Sequence, residues 1–217
     1  MSITSLGKNT LDALLIDYLE HCEIEKNLAQ STVRMYDFYL NDFFSWLKNY
    51  LDKEKIYPDD LQMEPIRKYR VFLNRRKNSR SSDGYKQSTQ KTFMVAIRAF
   101  LKYLIVERDF EVTSPDQITL GKSSDRVPTV LNEEQLERLF SVQNLNKRSG
   151  IRDRAILETL FSTGLRVSEL VGLNIDDINL KTGEFTVIGK GRKARTVYLS
   201  PSARKWIRRY LSTRKDE

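Results

Sequence analysis

Residues 178–199 read INLKTGEFTVIGKGRKARTVYL, and their period separates them from everything upstream. Before this stretch apolar residues return every three or four positions, the mark of helices with one buried face. Here they come in short runs: Ile178 and Leu180, then Phe185 and Val187, then Thr196, Val197 and Leu199. Lys181-Thr182-Gly183 and Gly189 to Lys193 lie between them. β-branched runs parted by Gly-containing turns predict a three-stranded antiparallel meander. The fold is therefore expected to be mainly α with a small antiparallel sheet, an α+β chain.

Working outward, Ser200-Pro201 offers an N-cap and a proline at the first helical position for an amphipathic helix through Leu211. Upstream, a short helix is expected over Arg166 to Leu173, and another from about Ile151 to Thr163, stopped by Gly164. Asn132 caps a further helix, with Gln135 at the capping-box position. Val112 to Thr129 holds Ser114-Pro115, Gly121, two serines and Pro128 without an apolar period, so it reads as a linker. The expected division is a helical domain over 1–114, a linker over 115–129 and a mixed domain over 130–217.

Four helices are expected in the first domain. Leu11, Leu14, Leu15, Tyr18, Leu19 and Cys22 line one face of the first. Ser31 is placed as N-cap of the second, with Val33, Tyr36, Leu40, Phe43, Phe44 and Leu47 inward. The third covers about Glu64 to Lys77, and Ser88 is placed as cap of the fourth, which buries Phe93, Ile97, Phe100 and Leu104. At an offset of 57, Ser31 matches Ser88, Thr32 matches Thr89, Arg34 matches Lys91 and Phe43 matches Phe100. A pseudo-repeat of two helical hairpins would put a hydroxyl and a cation at the start of both helices.

Composition narrows the function. With 37 Lys+Arg against 29 Asp+Glu, the 217 residues carry a formal charge of +8. That excess favours a polyanionic partner, because each neutralised phosphate releases condensed counterions. One cysteine, Cys22, excludes an internal disulfide and a Cys-based metal framework. No apolar run approaches the length of a membrane span, and the first eight residues lack a signal-peptide core, so no membrane association and a cytoplasmic, nucleoid location are expected. His21, the one histidine, reads as a helix-surface or boundary residue.

Two places suggest chemistry. Arg166 opens a helix, where the macrodipole disfavours a cation unless an anion is near. Glu169, three residues on, can hold its guanidinium and leave the other donors available. Gly189-Lys190-Gly191-Arg192-Lys193 sets three cations and two glycines at a hairpin tip, which suits close approach to phosphate oxygens. The spacing is not that of a P-loop.

Together, Asp153-Arg154-Ala155, Thr163-Gly164-Leu165-Arg166-Val167-Ser168-Glu169-Leu170 and Gly189-Lys190-Gly191 resemble the front of a tyrosine recombinase catalytic domain, of the phage integrase family and Xer-like. Ser31-Thr32-Val33-Arg34-Met35-Tyr36 and Ala96 to Leu104 resemble the two signature helices of the family's SAM-like core-binding domain, and Val127-Pro128 to Leu139 fits as well. The resemblance implies that Arg166 binds the scissile phosphate, supported by Glu169, and that Lys190 is the general acid for the leaving 5′-oxygen. It implies double-stranded DNA as partner, contacted by Thr32, Arg34, Lys91, Arg98, Arg192 and Lys193. A phosphotyrosine intermediate needs neither metal nor nucleotide, so no cofactor is expected.

The family pattern continues with a His-x-x-Arg segment, a further His or Trp and the nucleophilic tyrosine, and this pattern does not follow Lys190 here, where no histidine occurs. Tyr198, in a predicted strand, and Tyr210, in the helix after it, do not match the nucleophile. The chain is therefore expected to be a C-terminally truncated recombinase that binds DNA without cleaving it, monomeric when free, whereas the longer parent assembles as a tetramer on DNA. The alternative is a non-catalytic DNA-binding or regulatory protein derived from such an enzyme.

Overall fold

The computed structural model describes residues 10–76, 84–121, 128–189, 191 and 193–214. The chain divides into two compact units, Met1–Arg126 and Val127–Glu217. In the first, α1 (Leu11–Ile24), α2 (Gln30–Leu51), α3 (Met63–Arg75) and α4 (Gln87–Val106) enclose one core. Each helix presents the apolar stripe that its period requires, and Leu14, Leu40, Phe43, Leu73 and Leu104 are wholly buried.

Aromatic rings set how the helices run. Tyr39 meets Phe93 with centroids 4.5 Å apart, and one to two turns further Phe44 meets Phe100 at 5.5 Å. Both partners advance together, so α2 and α4 run parallel and begin at the same end of the unit. Asn74 accepts a hydrogen bond from the Gln90 side chain at 3.0 Å, while Tyr69 faces Phe93, so α3 runs antiparallel to α4. Tilted and edge-on contacts of this kind favour one packing beyond the area they bury.

A polar cluster is built into this core. The buried Tyr69 hydroxyl donates to Asp42 at 2.7 Å, and Arg76 donates to the other Asp42 oxygen at 2.6 Å. Burial, then the hydrogen bond to Asp42, push the Tyr69 phenol well above its usual value.

Several expectations are corrected. Ser31 and Ser88 are not caps: the helices start earlier, at Ala29 and Lys86 as N-caps, and neither receives a side-chain cap. His21 is buried rather than a surface or boundary residue, because the Tyr103 ring packs 5.0 Å from it while its Nδ1 sits 2.8 Å from Glu25. The first part of the expected linker is packed onto the first unit. Thr113 donates to the Leu61 carbonyl at 2.7 Å, Arg70 to that of Thr119 at 2.6 Å, and Ile118 enters the core. A single buried isoleucine shows no period, so the sequence pattern passes over it.

The second unit holds α5 (Glu133–Ser141), α6 (Arg148–Thr163), α7 (Val167–Val171), strands β1 (Glu184–Ile188) and β2 (Ala194–Tyr198), and α8 (Pro201–Leu211). The Asn132–Gln135 capping box and the Ser200 cap form as expected. β1 and β2 pair antiparallel, with Phe185 opposite Val197 and Val187 opposite Arg195. Among the described residues the sheet has two strands, not three: the 178–180 stretch contributes one bridge, Asn179 to Glu184. The Asn179 side chain accepts from the backbone N–H groups of Lys181 and Thr182 at 3.0 and 3.2 Å, and this local turn ends the pairing.

Arg154 joins α5, α6 and α8. Its guanidinium lies 4.5 Å from the Phe140 ring centroid and 5.2 Å from that of Trp206, and it donates to the buried Glu158 and to the Phe140 carbonyl. Ser162 donates to the Tyr198 carbonyl at 3.1 Å and accepts from Ser200 N–H at 2.6 Å, which seats the hairpin against α6.

Asp42→Ala is expected to destabilise the first unit by about 2 kcal/mol, since it strips a buried hydroxyl and a guanidinium of their acceptor. Urea unfolding followed by tryptophan fluorescence checks this; an unchanged midpoint would mean that water replaces the carboxylate at no cost.

Candidate functional site

The turn between α6 and α7 fixes Arg166. Gly164 ends α6 in the left-handed region, at φ 60°, where a side chain would be strained. Leu165 follows and is buried in the small core with Phe185, Val187, Val197, Leu199 and Ala203. Arg166 comes next, at the N-cap of α7 rather than inside its first turn, with extended backbone at φ −70° and ψ 151°. An anchored leucine on one side and a helix start on the other leave this residue little freedom.

Glu169 holds the arginine twice. It accepts the Arg166 backbone N–H at 2.9 Å on one carboxylate oxygen and the guanidinium at 2.8 Å on the other. The Arg166 side chain remains 61% exposed, so donors beyond that one bond face solvent, whereas the Glu169 side chain is only 7% exposed. Arg195 of β2 completes the arrangement with a bidentate pair to Glu169, at 3.0 and 2.7 Å. The Arg195 hydrogen bonds first, then the Arg166 backbone N–H, hold the Glu169 carboxyl far below its usual 4.5, at about 2, although burial opposes this.

The hairpin tip reaches the same carboxylate. A Cβ on Gly189 would stand 2.8 Å from Arg195 Nη1 and 3.6 Å from Glu169 Oε1, so the absence of a side chain there lets the guanidinium lie against the backbone. Gly189 N–H donates to the Lys193 carbonyl at 2.8 Å and closes the turn, and Gly191 takes φ 75°. Arg166, Glu169 and the base of the hairpin are thus gathered at one place. Lys193 is exposed at the turn, while Lys190 and Arg192 lie outside the described residues. Tyr198 is exposed on β2, and Tyr210 lines an apolar cleft with Ile156, Leu173 and Ile207.

In the first unit Thr32, Arg34 and Lys91 sit near the starts of α2 and α4, at the end these parallel helices share. Arg34 is exposed, and Thr32 and Lys91 are partly so. Lys91 shares a cleft with Arg70, Gln87 and Gly121. Arg98 stands two turns further along α4 and is paired with Asp116 at 3.3 Å.

Arg195 went unread in the sequence, yet a signal was there. In a strand where Val197 and Leu199 point inward, position 195 also points inward. An inward arginine requires an acidic partner.

Residues 129–217 match the family described as phage integrase family, and residues 15–108 match the phage integrase N-terminal SAM-like domain. The chain is 35% identical over 199 residues to tyrosine recombinase XerD of Yersinia pestis, covering 91% of this chain and 62% of that protein. It is 30% identical over 201 residues to XerD of Lacticaseibacillus casei, covering 93% and 64%. The chain therefore spans somewhat less than two thirds of these relatives. Two solved structures share the fold. The Tn1549 transposon integrase in complex with transposon right end DNA matches with a TM-score of 0.68 at 16% identity, covering 95% of this chain and 66% of that one. The site-specific recombinase XerH bound to a palindromic difH substrate matches with a TM-score of 0.62 at 21% identity, covering 91% and 56%.

The depressed Glu169 carboxyl sets a pH window. A group whose value falls on folding stabilises fully above its unfolded value and loses that contribution as pH drops toward the folded one. The advantage of the native chain over Glu169→Gln in thermal unfolding is expected to be constant above about pH 4.5 and to shrink from there toward about pH 2. An advantage that does not change with acidification would mean that Glu169 ionisation is not coupled to folding.

Proposed function

The chain belongs to the phage integrase family of tyrosine recombinases, and on that premise we propose that it binds duplex DNA and presents part of a site for cutting and rejoining strands. The observation that carries this reading is Arg166: fixed at a helix start, held by a carboxylate through its backbone and one guanidinium nitrogen, and more than half exposed. Such a cation is arranged in advance for an anion.

The chemistry follows from charge. Attack on a phosphodiester builds negative charge on the non-bridging oxygens, and a guanidinium already in place stabilises it without reorganising. A departing 5′-alkoxide needs a proton, and Lys190 is assigned to give it. In the whole recombinase a tyrosine takes the phosphate and conserves the bond for rejoining. Arg166 and Lys190 are the members of that set these 217 residues supply, and neither Tyr198 nor Tyr210 is assigned as nucleophile.

DNA is held from the first unit by the shared start of α2 and α4, through Thr32, Arg34 and Lys91, and from the second by the Gly189 to Lys193 turn with Arg192 and Lys193. Hydroxyls, cations and N–H groups at helix starts suit phosphate oxygens, so much of this contact positions the duplex rather than reading bases. Arg98 contributes less directly, since Asp116 already engages it. The free chain is assigned as a monomer working with DNA in the cytoplasm, and tetrameric assembly belongs to the longer recombinase on its site. No metal or nucleotide enters this scheme.

If roughly six phosphates are neutralised, log K against log salt is expected to fall with a slope of about −5, and Arg34→Ala to flatten it by about one. Fluorescence anisotropy with a labelled duplex measures both, and salt-independent binding would sink the reading. With a nicked duplex, no covalent protein–DNA adduct is expected on a denaturing gel; an adduct at Tyr198 or Tyr210 would overturn the assignment of these residues.

A further inference from the structure

We propose that Arg195 is a positioning residue for Arg166: by occupying both oxygens of Glu169, it keeps the Arg166 guanidinium turned outward toward phosphate. This rests on the function proposed above and adds a residue outside the stretches that carry the resemblance.

A carboxylate buried to this degree needs charged partners, and two arginines compete for it. Arg195 makes the two-point contact, Nη1 to Oε1 and Nη2 to Oε2. Arg166 reaches the carboxylate through its backbone N–H and one guanidinium nitrogen. That division has a consequence. A planar guanidinium prefers to meet a carboxylate with two parallel bonds. Were Arg195 absent, Arg166 would be drawn into that geometry, folding back over Glu169 and spending donors that now face solvent.

The location of Arg195 couples this to the hairpin. It sits opposite Val187 on the inner side of the β-ribbon, and its Nη1 lies against the Gly189 backbone. The strand that leads away from the basic turn therefore carries the group that sets the arginine on α7. Arg166 is presented only when ribbon and helix start are docked on each other. The depressed Glu169 carboxyl agrees with this order of partners, since Arg195 is its largest cause.

The test uses the 217-residue chain and a labelled duplex. Arg166→Ala is expected to weaken binding about tenfold, the size of one charge-assisted contact. Arg195→Ala is expected to cost a similar factor alone and almost nothing further when Arg166 is already alanine, because both act through the same guanidinium. Arg195→Lys, which keeps the charge but not the two-point contact, is expected to recover less than half of the loss on a logarithmic scale. The Arg166 Nε–Hε resonance, read by NMR in the absence of DNA, is expected to shift in Arg195→Ala, as a ring closing on Glu169 requires. This readout also stands if Arg195→Ala lowers stability, and Arg195→Lys supplies a second variant. Full additivity of the two alanine substitutions, or complete rescue by lysine, would overturn the proposal while leaving the DNA-binding function in place. Unchanged binding on Arg166→Ala would also overturn the proposal, whereas the DNA-binding function falls only with the salt dependence measured above.

Discussion

The Glu169 carboxylate is the joint on which the second unit depends. The core beside it is small: Leu165, Phe185, Val187, Val197, Leu199 and Ala203 are its buried residues. Six side chains of that size do not define the angle between a five-residue helix and a two-stranded ribbon. The carboxylate does, because it takes directional bonds from both. Its cost is a charge held out of water, which is tolerable only while the arginines remain. Geometry here comes from polar contacts of fixed direction, laid over a hydrophobic contact that supplies most of the attraction.

The first unit solves the opposite problem. Its helices are long, and rings from all four meet in a single cluster that includes Tyr18, Phe43, Tyr69, Phe93 and Phe100. Shape does most to make such a core specific, and the Asp42 contact with Tyr69 and Arg76 adds bonds of fixed direction.

Legibility in the sequence followed how local the cause was. The Gly164 stop, the Asn132–Gln135 box, the Ser200-Pro201 start and the Arg166–Glu169 pair each depend on residues within four positions, and each could be read directly. Helix starts near Ser31 and Ser88 could not, since Gln30 and Gln87 already satisfy helical geometry and a hydroxyl close by is an equally good second residue. Ile178 and Leu180 alternate as a strand would, but alternation does not reveal that Asn179 turns its own backbone. The candidate site was half legible. Arg166 and Glu169 lie three apart, whereas Arg195 is 26 positions from Glu169 and becomes visible only once the ribbon's inward face is assigned.

The parallel course of α2 and α4 has an electrical result that no side chain reports. Two helices side by side, pointing the same way, bring two positive poles together, each equivalent to about half an elementary charge. With axes about 8–10 Å apart, these poles repel each other by only a few tenths of a kcal/mol in a wet environment, so the fold tolerates them. Neither start is covered by a side-chain cap. The end bearing Arg34 and Lys91 therefore carries roughly one further positive charge that belongs to the backbone, and neutralising every lysine and arginine there would leave it in place.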